Sequence, residues 1–386
     1  MISNLIFRPV SLNDLDQIYD LSKFTQTGMT SLPINKSLLK DKILLSEKSF
    51  SKKVDSVSDE YYLFVLEDIT LNKVIGVSAI LASVGIGQPF LTFDIKTVKT
   101  ASKQLDLNSS YDIFSLKKQY NGPSELLTLF LHPDYRKSGI GRFLSLVRFL
   151  FIKQHQLRFK QSIIAEIRGD IDANGRSLFY DVLIKPYLKM SFDEADKLSQ
   201  IDKSFLIDLL PKAPFFIDVV EPYVNYSIGK AHHISRLAMS ILESEGLKKS
   251  MSVDVLDAGP KIKAKLNNVR VFSQIKLFKY FNILDKLDEK TLFMVSSGKL
   301  NNFRACIAQL DDYDKLAILD SPSFRECLKQ GNQLSYVRLY PKSRQSIFYK
   351  MNLSTQKKLF KTPFLKEFSL WYQERLPSHQ KLDKHK

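Results

Sequence analysis

The 386-residue chain is poor in cysteine, with only Cys306 and Cys327. Two cysteines cannot build a disulfide framework, so a reducing compartment is expected. No apolar run reaches membrane-spanning length, and the greasiest helical stretch, Phe143 to Ile152, is interrupted by Arg148. The start, Met1 to Pro9, lacks a basic region followed by a long apolar run. It reads as a first strand rather than a signal peptide. These absences point to the cytoplasm and argue against a membrane protein. Internal repeats and low-complexity tracts are absent too. Acidic residues are in deficit: 41 Asp and Glu against 57 Lys and Arg leave a net charge of +16. Such a balance suits a nucleic-acid binder, a membrane-surface protein or an enzyme with an anionic substrate. No RNP-like aromatic motif or recognition helix accompanies the charge, which argues against nucleic acid. The remaining composition, 44% hydrophobic and 25% charged, is that of an ordinary globular protein of two domains or one enlarged domain.

What is present is a strand followed by a glycine loop. Ser124 to Leu131 reads as a buried strand, Pro133-Asp134 as a turn, and Arg136 to Arg142 as a basic loop opening a helix. Arg136, Gly139 and Gly141 form an R-x-x-G-x-G pattern. A helix start offers unpaired N–H groups and a positive dipole end, and glycines let the backbone approach an anion. Arg136, Lys137 and Arg142 add charge, so the loop is a candidate phosphate cradle.

Around it the pattern reads as alternating elements. Leu5–Pro9 is a strand, Ser11–Lys23 and about Asn35–Ser49 are helices, and Tyr61–Leu66 and Val74–Leu81 are strands. An irregular segment at about 86–123 reads as an insertion. After the loop and its helix come a strand at Ser162–Ile167, a helix at Arg176–Leu183 and a short strand at Leu188–Phe192. The order is β-α-α-β-β-(insertion)-β-α-β-α-β. Residues 201–342 read as helical and then β-rich, with strands at Leu292–Val295, Ala305–Leu310 and Leu334–Leu339. Residues 343–386 are a Lys-rich tail with Phe360, Phe364, Phe368 and Trp371 at helical spacing. The expected division is 1–200, 201–342 and 343–386.

The loop and the element order resemble the acyl-CoA-dependent N-acyltransferases of the GNAT type, an α/β (α+β) fold with a mixed twisted sheet. An ordered set of segments resembles one family more closely, the arginine N-succinyltransferases. It comprises Phe7-Arg8-Pro9-Val10, Gly28-Met29-Thr30-Ser31-Leu32-Pro33, Val65-Leu66-Glu67-Asp68 and the loop itself. Ala165-Glu166 with Arg168-Gly169, Leu210-Pro211-Lys212 and His232 follow. Leu242-Glu243-x-Glu245-Gly246, Asp254, Asp257, Gly259-Pro260 and Val269-Arg270 complete it.

The resemblance implies transfer of succinyl from succinyl-CoA to the α-amino group of L-arginine, the opening step of a route of arginine catabolism. It implies that Leu129, Arg136, Lys137, Gly139, Gly141 and Arg142 bind succinyl-CoA and that His232 is the proton donor. Glu125 is a second candidate for proton transfer. Thr30, Ser31, Glu166 and Arg168 are candidates for the acceptor site. Glu125 and Glu166 suit a guanidinium and Arg168 suits a carboxylate. Neither a metal nor a prosthetic group is expected, and a homo-oligomer is left open. Two alternatives remain at this point: acylation of ornithine or another amine, or a non-catalytic basic interaction module.

Overall fold

Strands β1 (Leu5–Pro9), β2 (Tyr61–Asp68) and β3 (Lys73–Leu81) are apolar on both faces, as a sheet covered by helices on both sides requires. The computed structural model describes residues 2–25, 31–136, 139–217, 222–278, 281–286, 291–311, 317–331 and 333–341. The further strands are β4 (Phe90–Ser102), β5 (Leu107–Gln119), β6 (Ser124–Leu131), β7 (Ser162–Glu166), β8 (Phe215–Phe216), β9 (Lys248–Val253) and β10 (Pro260–Lys265). They continue with β11 (Lys276–Phe278), β12 (Asn282–Leu284), β13 (Leu292–Ser297), β14 (Arg304–Asp311), β15 (Ala317–Leu319) and β16 (Leu334–Arg338). One sheet runs in the order β11-β16-β13-β14-β1-β2-β3-β6-β7-β10-β9-β4-β5-β8, with β12 and β15 attached beside β14. Pairing is antiparallel along this path except at β6–β7, which is parallel.

No break falls near residue 200, where two domains were expected to meet. Strands from both sides of that point share the sheet: β1 pairs with β14, β7 with β10 and β4 with β9. Met1–Leu339 is one compact unit. Pairing of late strands against early ones covers both flanks of the β1-β2-β3-β6-β7 core, which would otherwise present open edges. The expected insertion at 86–123 is the long hairpin β4–β5, with thirteen residues in each strand. The tail at 343–386 lies outside the described residues.

Helices α1 (Leu15–Ser22) and α2 (Lys36–Ser51) cover one face. Ile18, Leu21, Leu39 and Ile43 pack there on Leu63, Val65 and Val77. The Asn35 side chain caps α2 by accepting the Leu38 N–H at 3.0 Å. Helices α3 (Ile140–Leu146) and α4 (Arg148–Gln154) cover the other face, joined through Val147, which keeps helical torsions. Phe151 of α4 packs with Phe64 and Phe303 at ring separations of 5.0 and 5.2 Å.

The short strand expected at Leu188–Phe192 is not formed. Lys185–Leu188 is helical, and Ser191 caps a new helix, Phe192–Ser199, through a capping box with Glu194. β7 is instead completed by β10, which pairs with it from Lys261↔Glu166 to Lys265↔Ser162. The capping signal Ser-x-x-Glu outweighs the apolar alternation there.

A buried carboxylate ties α3, the helix after the glycine loop, to the late strands. Glu245 is 1% exposed. It accepts from Arg270 Nε and Nη2, both at 2.9 Å, and from the Val271 N–H at 3.1 Å, and it pairs with Arg142. Arg142 also donates to the Leu339 carbonyl at 2.8 Å and the Ser244 hydroxyl at 3.2 Å. Glu245→Ala strands two guanidinium groups in a dry site. The expected loss is about 3–5 kcal/mol of unfolding free energy, read by urea denaturation. A loss under about 1 kcal/mol would show that water reaches the site and screens it.

Candidate active site

β6 and β7 pair at Ser124↔Ile163 and Glu125↔Ile164 and then part. Beyond Glu125 the β7-facing edge of β6 has no ladder partner in that pairing. An extended amide-bearing chain has the shape and hydrogen-bonding pattern to fill such a gap. Leu129 lies half-buried on this stretch. On its other side β6 carries a bulge against β3: Val77↔Phe130 and Ala79↔Leu127 pair, so Ser78 faces two residues, Thr128 and Leu129. Thr128 has φ +51°, unusual for a β-branched residue. Its hydroxyl lies 3.3 Å from Tyr61 Oη and 3.4 Å from the Ser31 carbonyl, to which it donates.

The loop leaves β6 through a 3-10 turn at Pro133–Tyr135. Arg136 donates to the Leu131 carbonyl at 3.0 Å, and its guanidinium stands over the Phe130 ring at 5.3 Å. Gly139, at the cap of α3, has φ +79°, a left-handed conformation that favours glycine. Beside Gly141 the space is open, and an added Cβ would find its nearest heavy atom, Leu131 Cδ2, at 3.9 Å. Lys137 and Thr30 lie outside the described residues. Arg142 requires correction. Expected at the phosphate, it turns inward to Glu245, Ser244 and Leu339, 6% exposed. The second residue of a helix can face either loop or core, and here the buried carboxylate decides.

At the open ends of β6 and β7 the structure brings Glu125, Glu166 and Arg168 together with groups that spacing alone did not reveal. Burial raises the Glu125 carboxyl to about 7, against opposing pulls from Lys203, Lys261 and Lys42. Burial raises Glu166 well above the ordinary range, reinforced by Asp254 and Glu125. Asp257 is raised to about 7 by burial and Asp254, although Arg168 and two backbone N–H groups favour its anion. Asp196 is raised to about 6 by burial, with Arg168 opposing. Burial lowers Lys261, against the pull of Glu166. Burial is the first cause at each of these carboxyls, and it outweighs the pull of the neighbouring lysines and Arg168. Two buried atoms of this centre, Glu166 Oε1 and Arg168 Nη2, have no hydrogen-bond partner among the described residues.

Asp257 holds this centre together. Its carboxylate accepts from the N–H of Gly169 at 2.8 Å and of Gly259 at 2.7 Å. A Cβ on Gly169 would meet the Asp257 carbonyl oxygen at 2.1 Å, so no larger residue fits. On the other side Gly169 bridges to Ala231, and the His232 N–H donates to the Arg168 carbonyl at 2.9 Å. His232 is thereby fixed to the end of β7. It is 8% exposed, with the His233 ring at 4.2 Å and His233 itself exposed. Burial, and then His233 and Arg168, lower the His232 pKa, so its imidazole is neutral near pH 7. Asp254, Asp257 and Gly259-Pro260 were visible in the resemblance without a role. Lys42, Lys203 and Lys261 gave no signal in the sequence.

The parted parallel strands, the bulge, the glycine loop at a helix start and the cluster of buried carboxyls beside them define an acyltransferase with a GNAT-like core. A family model described as "Arginine N-succinyltransferase beta subunit" matches residues 5–271. The chain belongs to the arginine N-succinyltransferase family. It is 38% identical over 307 residues to a Yersinia pestis arginine N-succinyltransferase, covering 78% of this chain and 87% of that protein. It is 32% identical over 341 residues to that of Photorhabdus laumondii, covering 88% and 99%. The solved structure of arginine/ornithine succinyltransferase subunit AI from Pseudomonas aeruginosa superposes with a TM-score of 0.79 at 29% identity, over 87% of this chain and 99% of that one.

The raised carboxyls have a consequence for stability. Glu125 titrates near 4.5 ordinarily and about 7 in the folded protein. Between those values the folded state holds a proton that the unfolded chain releases, so stability falls as pH rises through this window. Asp257 and Asp196 act in the same direction. Urea midpoints are expected to be lower at about pH 8 than at about pH 5, with a smaller difference in Glu125→Gln. An unchanged difference in the variant would place the Glu125 carboxyl in water.

Proposed function

We propose that the chain transfers succinyl from succinyl-CoA to the α-amino group of L-arginine, giving N2-succinyl-L-arginine and CoA, in the cytoplasm and in arginine catabolism. The observation that carries the acceptor is the pair of buried, unsatisfied atoms two residues apart, Glu166 Oε1 and Arg168 Nη2. Residues at i and i+2 of an extended segment share a face. One offers an acceptor to a cationic side chain and the other a donor to a carboxylate. A basic amino acid presents both groups, and an amine lacking the carboxylate would leave Arg168 unpaired at a cost of about 1–3 kcal/mol. Glu125 adds a second acid for the guanidinium. Ser31, whose carbonyl accepts from the Thr128 hydroxyl on β6, is a further residue for the acceptor side.

Leu129 and the free edge of β6 pair with the pantetheine amides. Arg136, Lys137, Gly139 and Gly141 take the pyrophosphate. Neutral His232 accepts the proton that the amine loses as it attacks the thioester carbon. The N–C bond forms first and leaves negative charge on the carbonyl oxygen; as the C=O bond re-forms, the C–S bond breaks and the thiolate departs. The proton then passes from His232 to the departing thiolate, so His232 ends the cycle neutral and in the role of donor. The carboxylate end of the succinyl group is a further anion in a basic protein.

Thiol release from succinyl-CoA should depend on L-arginine and exceed release from acetyl-CoA. His232→Ala should lose about 100-fold to 10,000-fold in kcat. Glu166→Gln and Arg168→Met should raise the KM for arginine about 10-fold or more, with the KM for succinyl-CoA nearly unchanged. Release with ornithine but not arginine would keep the chemistry and move the acceptor. Absence of release with any amine would sink the enzymatic reading.

A further inference from the structure

Arg148 heads the fully buried side chains by size, at 1% exposure. Its donors go to three backbone carbonyls: Nε to Ser145 at 3.0 Å, and Nη1 to Ala79 at 3.1 Å and Leu127 at 3.2 Å. Among the described residues no carboxylate pairs with it. Burial pulls its pKa down to about 9, so the guanidinium still carries its charge at neutral pH. A buried cation without a counter-charge is costly, and a leucine or methionine would fill the same space at less cost.

What Arg148 touches suggests why it is there. Ala79 and Leu127 are the paired residues on one side of the β6 bulge, and pairing resumes at Val77↔Phe130. Between them the ladder is broken, and the Ser78 hydroxyl is buried without a partner. Thr128 occupies the left-handed region there, strained for a β-branched residue. Such a bulge persists when its surroundings hold it. Tyr61 and Ser31 hold the Thr128 hydroxyl, and Arg148 from α4 holds the carbonyls at the bulge's start.

We propose that Arg148 is a positioning residue for acyl transfer. It fixes the β6 bulge so that the Leu129 N–H meets the thioester carbonyl in the gap between β6 and β7, and it sets a positive charge behind that donor. The proposal rests on the assignment of Leu129 to the acyl-CoA site made above. Arg148 makes and breaks no bond. A donor placed in advance stabilises the charge that gathers on the carbonyl oxygen as the amine adds, and it matters more in that state than in substrate binding. Hence kcat should suffer and acyl-CoA affinity should not.

The test compares wild type, Arg148→Met and Arg148→Gln. Active protein is counted by stoichiometric CoA binding, so that misfolded molecules are excluded. Arg148→Met should lower kcat about 10-fold to 100-fold, with the Kd for succinyl-CoA and the KM for arginine within about 3-fold of wild type. Arg148→Gln keeps donors for the two carbonyls and should recover part of the loss. Hydrogen exchange should quicken at residues 127–130 and stay slow in β2. If Arg148→Met does not fold, Arg148→Gln carries the test: a kcat below wild type at unchanged affinity supports the proposal. A wild-type kcat per CoA-binding molecule in the variant that folds overturns it and makes Arg148 a stability residue only. Equal losses in kcat and affinity overturn it too. A wild-type protein that binds CoA but acylates no amine would overturn the acyl-transfer reading and this role with it, a result separable from a defect confined to the variants.

Discussion

The parting of β6 from β7 is the constraint on which the rest of this structure depends. Two parallel strands pair for two residues and then separate, with Glu125 at the fork and Glu166 and Arg168 at the end of the neighbouring strand. Unpaired strand edges are unstable in a closed core, and a natural protein keeps them only where something else fills them. Each neighbouring feature answers that need. β10 completes the far side of β7, the bulge re-aims β6, and the glycine loop leads the chain from β6 into α3.

Charge follows the same geometry. The chain carries an excess of 16 positive charges, yet the fork gathers Glu125, Glu166, Asp196, Asp254 and Asp257. Burial and mutual repulsion hold several of these carboxyls near neutrality, which limits the cost of crowding them. Lys42, Lys203, Lys261 and Arg168 stand among them, so the fork mixes both signs of charge. Away from the fork, the buried ion pairs of Glu245 with Arg142 and Arg270 join the helix after the glycine loop to strands far along the chain.

Much of the core was legible because it is local. Apolar runs at Tyr61–Leu66 and Val74–Leu81, the Asn35 cap and the glycine loop all report their own conformation over a few residues. The Leu188–Phe192 strand was misread because a capping box at Ser191 and Glu194 competes with apolar alternation, and the box prevailed. The boundary near residue 200 was misread because the pattern of elements turns helical there while the sheet continues across it. Arg142 was misread for another reason. Its sequence neighbours form a basic glycine loop, but its partner, Glu245, lies about a hundred residues away.

The sequence by itself determined the class of fold, the glycine loop at the helix start and the family, since strand periodicity, glycine placement and ordered motifs are carried by near neighbours in the chain. Only the tertiary structure decided which charges meet at the fork, that Arg142 serves the core, that Asp257 clamps Gly169, and that Arg148 lies beneath the bulge. Those outcomes depend on burial and on pairing between distant segments. Burial sets the protonation of a carboxyl and the direction of a guanidinium, and no window of sequence contains it.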